Sequence, residues 1–288
     1  QAFLHNQFTS DIKRLKVDGA QNSAWCTAKG RMLASLLVWR EADSYQLALS
    51  ADLLAPVLKR LKMFVLRSKV ILADRSDEVV LLGLGGKTAN AALEAAGYAP
   101  PALPLEVSDI PGGKLIRLED APDGPRYQIA VVADAAPGVW QALAARARPA
   151  GTPIWQWLAI QAGIPLITAA TQEAFVPQMA NFERIGGVSF QKGCYPGQEI
   201  VARTQYLGKV KRSLYRAKSP VTVAAGTALF SGLTEDGQGG TVVNAAPAAD
   251  GAWELLAVIP DTCAADGPVS IGAVGGTALE LLPLPYTA

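Results

Sequence analysis

The stretch SFQKGCYPGQEIVARTQYLGKVKR, residues 189–212, decides how the rest of the chain is read. It gathers a cysteine, a proline, three glycines, a carboxylate and five basic side chains into 24 residues, while most of the chain is alanine- and leucine-rich globular sequence. Gly193 permits a sharp turn after a strand-like Ser189-Phe190-Gln191. Pro196 suits the first position of a helix running through Glu199, Ile200, Val201 and Arg203. Cys194 is therefore expected at a helix N-terminus beside Lys192, where unpaired N–H groups and a nearby cation favour a thiolate. The plainer alternative is a small buried cysteine filling space under a turn. Glu199 and Arg203 stand four apart, a spacing that by itself makes a modest surface pair. Arg203, Lys209, Lys211, Arg212, Arg216 and Lys218 follow with no acidic residue before Glu235. This basic patch, 203–218, is expected to meet an anion, either a carboxylated ligand tail or the backbone of a tRNA, unless it is only a solvated face.

On either side of this stretch the texture of the chain differs. Upstream, Leu53, Leu54, Val57, Leu58, Leu61 and Val65 recur at three- and four-residue intervals with Lys59, Arg60 and Lys62 between them, which predicts a helix with one buried face over 53–65. Strand-like runs at 45–50, 70–73, 79–82, 115–118 and 127–132 alternate with it and with helices predicted over 88–96, closed by Gly97, and over 138–148. The interleaving suggests an α+β unit of ferredoxin-like type over roughly 45–138. After Tyr206, short β-type runs at 214–216, 228–230, 241–243 and 255–259 alternate with Gly, Pro and Asp turns, as in a small closed barrel or sandwich. The quoted stretch thus sits where an α+β body meets a β domain, and clefts between domains are preferred ligand sites.

Composition bounds the function. The 288 residues are half apolar, and 26 basic residues nearly balance 25 acidic ones, enough for two or three folded domains. The most apolar window, 154–170, is interrupted by Gln156, Gln161 and Pro165 and falls short of the about 20 residues of a bilayer span. A soluble protein that does not enter a membrane is expected. Cys26, Cys194 and Cys263 show no C-x-x-C spacing, which argues against a disulfide framework and against a self-contained metal site and favours a reducing cytoplasm. The chain opens at Gln1 without an initiator methionine, so any natural leader is expected to lie outside it. Gly83-Leu84-Gly85-Gly86-Lys87-Thr88 imitates a phosphate loop, but the glycine that motif needs five positions before its last one is Leu81 here, and a glycine-rich turn into a helix is expected. His5 is the only histidine and has no positioned partner in the local sequence, which argues against hydrolase chemistry.

Lys192-Gly193-Cys194-Tyr195-Pro196-Gly197-Gln198-Glu199, followed by Val201-Ala202-Arg203, closely resembles the K-G-C-Y-x-G-Q-E signature of the YgfZ-type folate-binding proteins, relatives of the glycine-cleavage T-protein. The resemblance extends through Pro177-Gln178, Asn181, 186–190, Gly208 and Lys211-Arg212, and touches 3–7 and Cys26 with Lys29-Gly30-Arg31. It implies a T-protein-like α+β fold. In that fold a split N-terminal folate-binding domain, 1–44 and 139–204, surrounds an inserted ferredoxin-like domain, 45–138, and is followed by a C-terminal β-barrel domain, 205–288. It also implies tetrahydrofolate or a derivative as cofactor, and a role in iron–sulfur cluster assembly or repair. The implied partners are iron–sulfur client proteins or assembly factors, including tRNA-modifying enzymes that carry such clusters.

A folate's chemistry can be met by residues of these segments. A pterin edge asks for a carboxylate, from Glu183 or Glu199; its ring asks for an aromatic face, from Tyr195 or Trp25; its glutamate tail asks for Lys192, Arg31 or Arg203. Gly193, Gln198 and Lys29 belong to the same segments and are counted with this site, and Cys194 is its candidate functional thiol. The pocket is expected to be lined by Lys192, Cys194, Tyr195 and residues 24–31. T-proteins carry an acidic pair shortly after a Gly-Gly that aligns with Lys29-Gly30. Met32-Leu33-Ala34-Ser35 stands there in this chain, so aminomethyl transfer is not expected. A folate-dependent accessory protein fits this departure; the alternative is a one-carbon transferase acting on tRNA or another acceptor.

Overall fold

The computed structural model describes residues 1–206, 208 and 210–286, and three antiparallel sheets carry the chain. Helix α1 (Ala2–His5) precedes β1 (Ala20–Cys26), β2 (Met32–Arg40) and β3 (Tyr45–Ala48), paired in that order. The nearly continuous apolar run of β2 reflects cover on both faces. Helix α2 (Ala51–Met63) realises the spacing predicted for 53–65 and buries Leu53, Val57 and Leu61 in the core of this sheet. β3 and α2 fall within the 45–138 expected for the inserted unit, but β3 pairs with residues 37–40 of β2 and α2 packs beside it. The strand expected at 70–73 is irregular: Val70 and Leu72 lie against the first core and Ile71 is exposed, an alternation without strand pairing.

The second sheet follows as β4 (Val79–Gly85), β5 (Val107–Ile110), β6 (Gly113–Ala121) and β7 (Gly124–Val132), ordered β4-β7-β6-β5, with α3 (Ala89–Ala95) and α4 (Ala136–Ala144). Along β7 the side chains alternate. Tyr127, Ile129 and Val131 share a core with Leu93 of α3 and with Val139 and Leu143 of α4. Arg126, Gln128 and Ala130 take the opposite face, toward the first sheet and α5 (Thr152–Gln161). The glycines that imitated a phosphate loop have a packing cause. In β4, Gly83 and Gly85 pair with Gln128 and Arg126. A Cβ on Gly83 would stand 2.4 Å from the Trp155 ring, and one on Gly85 would stand 2.9 Å from Leu158. Helix α5 can lie on β4 only where the strand has no side chains.

Helix α6 (Gln198–Tyr206) leads into the third sheet, β8 (Arg212–Ser219), β9 (Ala228–Phe230), β10 (Gln238–Pro247), β11 (Trp253–Pro260), β12 (Ser270–Ile271), β13 (Thr277–Ala278) and β14 (Glu280–Leu282), with α7 (Asp261–Asp266) after β11. Its order, β13-β12-β9-β10-β11-β8-β14, puts β13 and β14 on opposite edges. Leu279 alone separates these two strands in the chain, so the edges must lie together and the sheet curls nearly shut. Its interior holds Ala217, Leu229, Val242, Leu255, Ala257 and Ile259. No helix among the described residues is long and apolar enough to cross a membrane. The contact at Gly83 is testable: Gly83→Ala is expected to lower stability in urea by about 1–3 kcal/mol by displacing Trp155. Gly138→Ala, in α4 with nothing within 4 Å of the added Cβ, is expected to be neutral or slightly stabilising.

Candidate functional site

Residues 189–198 fold back on the N-terminal segment. Residues 189–191 form no strand; instead the Ser189 N–H donates to the Thr9 carbonyl at 2.9 Å. Helix α6 begins at Gln198, so Cys194 lies four residues before it and not at its N-terminus, because a turn intervenes at 196–197. Lys192 is buried, and its ammonium donates to the carbonyls of His5, Phe8 and Ser10, the last at 3.0 Å. Burial pulls its pKa down to about 8, so at neutral pH the ammonium keeps three protons, one for each carbonyl. It also stands 5.0 Å from the ring centroid of the buried Tyr195, whose phenol burial pushes up.

Gly197, at φ +81°, lies backbone to backbone on the turn at 27–31. A Cβ there would stand 2.4 Å from the Thr27 oxygen and 2.6 Å from the Gly30 Cα. Gln198 Nε2 donates to the Lys192 carbonyl at 3.4 Å. This brace leaves Gly193 and Cys194 exposed. Cys26 and Cys263 are buried, and burial pushes Cys26 up to about 12, so Cys194 is the thiol that solvent reaches.

The other expected site residues are dispersed. Trp25 offers no free face: its indole N–H donates to Gln7 Oε1 at 3.3 Å, Phe64 meets it edge-on at 6.1 Å, and Arg60 covers it at 5.7 Å. Arg31 Nη1 donates to the Ala174 carbonyl at 2.6 Å. Lys29, Glu199 and Arg203 are exposed. Glu183 is half-buried; desolvation raises its pKa, and its Oε2 has no hydrogen-bond partner among the described residues. The basic patch is partly neutralised by acids distant in sequence. Arg216 Nε lies 2.9 Å from Glu254 Oε2, and Lys218 pairs with Asp250. Arg203, Lys211 and Arg212 remain exposed, and Lys209 lies outside the described residues. His5 does have a partner, Asp11 Oδ1 at 3.2 Å from its Nδ1, but both belong to the braced N-terminal segment. Among the described residues no His, Cys, Asp and Glu cluster suited to a metal ion occurs.

A cavity of about 1010 Å³ opens between the three sheets, walled by Leu36 of β2, Arg126 and Gln128 of β7, Trp155 of α5 and Asn244 of β10. None of Lys192, Gly193, Cys194, Tyr195, Gln198, Glu199, Arg203, Trp25, Lys29, Arg31 or Glu183 lines it: Lys192 braces the loop, Trp25 and Arg31 are held by other partners, and Cys194, Lys29, Glu199 and Arg203 are exposed. The carboxylate in its wall is Glu119, whose Oε1 accepts from Asn22 Nδ2 at 2.6 Å. Phe182, next to Glu183, also lines it. Of Met32-Leu33-Ala34-Ser35, the first three are buried and Ser35 lines the wall, its hydroxyl accepting from the Ile167 N–H at 2.8 Å. The signal that could have located this wall is RYQIAVV, residues 126–132. An arginine and a glutamine there occupy alternate positions of an otherwise apolar strand.

No known protein-family profile matches the chain. Two curated relatives, each named tRNA-modifying protein YgfZ, match it almost throughout. The protein from Yersinia pseudotuberculosis serotype O:1b (strain IP 31758) is 33% identical over 99% of this chain and 86% of its own length. That from Edwardsiella ictaluri (strain 93-146) is 34% identical over 100% and 87%. Among solved structures, glycine cleavage system aminomethyltransferase T from Bartonella henselae superposes with a TM-score of 0.75, covering 99% of this chain and 81% of that one at 20% identity. The chain therefore has the T-protein-like fold, with a nearly closed C-terminal barrel.

Removing the ammonium of Lys192 without removing its stem isolates the brace. Lys192→Met is expected to destabilise the protein by about 3 kcal/mol or more, since it strands three buried carbonyls. Chemical denaturation measures this, and an unchanged midpoint would contradict the brace.

Proposed function

We propose that this chain, which belongs to the YgfZ family, binds tetrahydrofolate or a related reduced folate in the cavity between its sheets. We propose further that it serves tRNA modification in the cytoplasm as an accessory to iron–sulfur cluster assembly or repair. The observation that carries the folate reading is the cavity itself. Its volume suits a ligand of this size, its walls are largely apolar with Trp140, Trp155 and Phe182 among them, and Glu119 brings a carboxylate to a pterin's N–H donors. Of the two carboxylates expected from the sequence, Glu183 is the better second candidate: it follows the wall residue Phe182 and its Oε2 is buried and unpartnered, whereas Glu199 is exposed on α6. A reduced folate supplies one-carbon or reducing chemistry when bound.

The tRNA part of the proposal comes from the names of the relatives, and the exposed Arg203, Lys211 and Arg212 suit a phosphate backbone. The iron–sulfur part rests on the signature at 192–199 and on the display of Cys194 by a rigid loop. Aminomethyl transfer is disfavoured, because Leu33 and Ala34 stand where the resemblance to T-proteins calls for an acidic pair.

Calorimetric titration with tetrahydrofolate is expected to show saturable binding, and Glu183→Gln is expected to weaken it by about tenfold or more. A protonated carboxyl accepts the pterin's N–H donors poorly. Affinity should therefore fall as pH is lowered through the raised pKa of Glu183, and the variant should lose that dependence. The absence of saturable heat at millimolar ligand from folded protein would refute the folate reading. Cys194→Ser, at an exposed position, is expected to leave the thermal midpoint nearly unchanged. It is also expected to abolish rescue of iron–sulfur enzyme activity in cells lacking the native protein; full rescue at equal expression would show the thiol to be dispensable.

A further inference from the structure

The cavity wall formed by β7 is rich in donors and poor in acceptors. Arg126 is 2% exposed. Its Nη1 donates to the Glu119 backbone carbonyl at 3.3 Å, while its Nε is buried and meets no acceptor among the described residues. Its guanidinium lies 4.8 Å from the Trp155 ring centroid, a stack that fixes the plane of the fork. The nearest carboxylates, Glu119 and Asp120, act on it through space without an ion pair, and Glu119 is already held by Asn22. Two positions along the same strand face, Gln128 Nε2 is also buried without an acceptor. Burial lowers the Arg126 pKa to about 10, which leaves the charge in place at neutral pH. Arg146 and Arg148, exposed residues of the same lining, add positive charge to the cavity.

A buried cation without a counter-ion, beside a second unpaired donor, is half of a recognition site. The missing half must be negatively charged, planar and able to accept from a fork and an amide together, which describes a carboxylate. We propose that Arg126 and Gln128 seat a carboxylate of the ligand, so that the cavity selects a pterin bearing a glutamyl tail over a bare pterin. This rests on the folate reading of the cavity and adds to it the end of the ligand that β7 recognises.

Calorimetry with two probes, tetrahydrofolate and the tail-less tetrahydropterin, tests the proposal. The native protein is expected to prefer tetrahydrofolate by about tenfold or more. In Arg126→Met that preference should collapse toward unity while tetrahydropterin affinity stays unchanged, and Gln128→Leu should lose part of it. The thermal midpoint of Arg126→Met should equal or exceed that of the native protein, because a buried unpaired charge has been removed. Retention of the native preference by folded Arg126→Met, or equal weakening of both probes, would overturn the proposal; should that variant not fold, Gln128→Leu decides on the same criterion. A native protein that binds both probes equally overturns this inference alone. One that binds neither removes the folate reading, and this inference with it.

Discussion

One buried ammonium ties the cysteine loop to the N-terminal segment. Lys192 reaches across more than 180 residues of sequence to the carbonyls of His5, Phe8 and Ser10. Those oxygens sit where the chain turns from α1 toward β1 and has no ladder to satisfy them. Buried carbonyls without donors are costly, and a lysine offers three donors from one atom. Thr9 completes the junction: its hydroxyl donates to the Gly187 carbonyl at 2.6 Å and accepts from the Ala24 N–H at 2.8 Å. The cysteine loop, the N-terminal segment and β1 are therefore tied together, and Cys194 is presented to solvent from this junction.

Glycine performs related work at two places. At Gly197 and Gly30 two backbones touch, locking the cysteine loop to the turn after β1. At Gly83 and Gly85 a strand gives up its side chains so that Trp155 and Leu158 of α5 can lie on it. The second contact also shapes the cavity, since Trp155 both fills the space over Gly83 and stacks on Arg126. The exposed thiol and the cavity are thus built from different parts of the fold, and residues that share one sequence signature do not share one pocket.

Sharing a fold with an aminomethyltransferase at 20% identity shows the architecture and not what is done in it. The wall residues carry that information. Ser35, Arg126 with its unpartnered Nε, and Glu119 as the carboxylate of the described lining are polar groups that this wall presents.

Much of the architecture was legible in local periodicity. The spacings at 53–65, 88–96 and 138–148 correspond to α2, α3 and α4, and the short runs after 206 to β8 through β11. The signature at 192–199 pointed to the family and its fold, because a motif of that length is specific wherever its residues end up. Partnership between distant residues was not legible. Lys192 read as a cation for a ligand tail, and Arg216 and Lys218 read as free, because nothing nearby in sequence showed three orphan carbonyls or the acids Glu254 and Asp250. The cavity, its unpaired donors on β7, and the pairing of β3 with β2 were likewise decided by tertiary structure. Sequence by itself determined which segments form helices and strands and which face of each is apolar, since those depend on neighbours a few residues away. Which polar groups meet, and which are left waiting for a ligand, depends on contacts that only the assembled sheets bring within hydrogen-bonding distance.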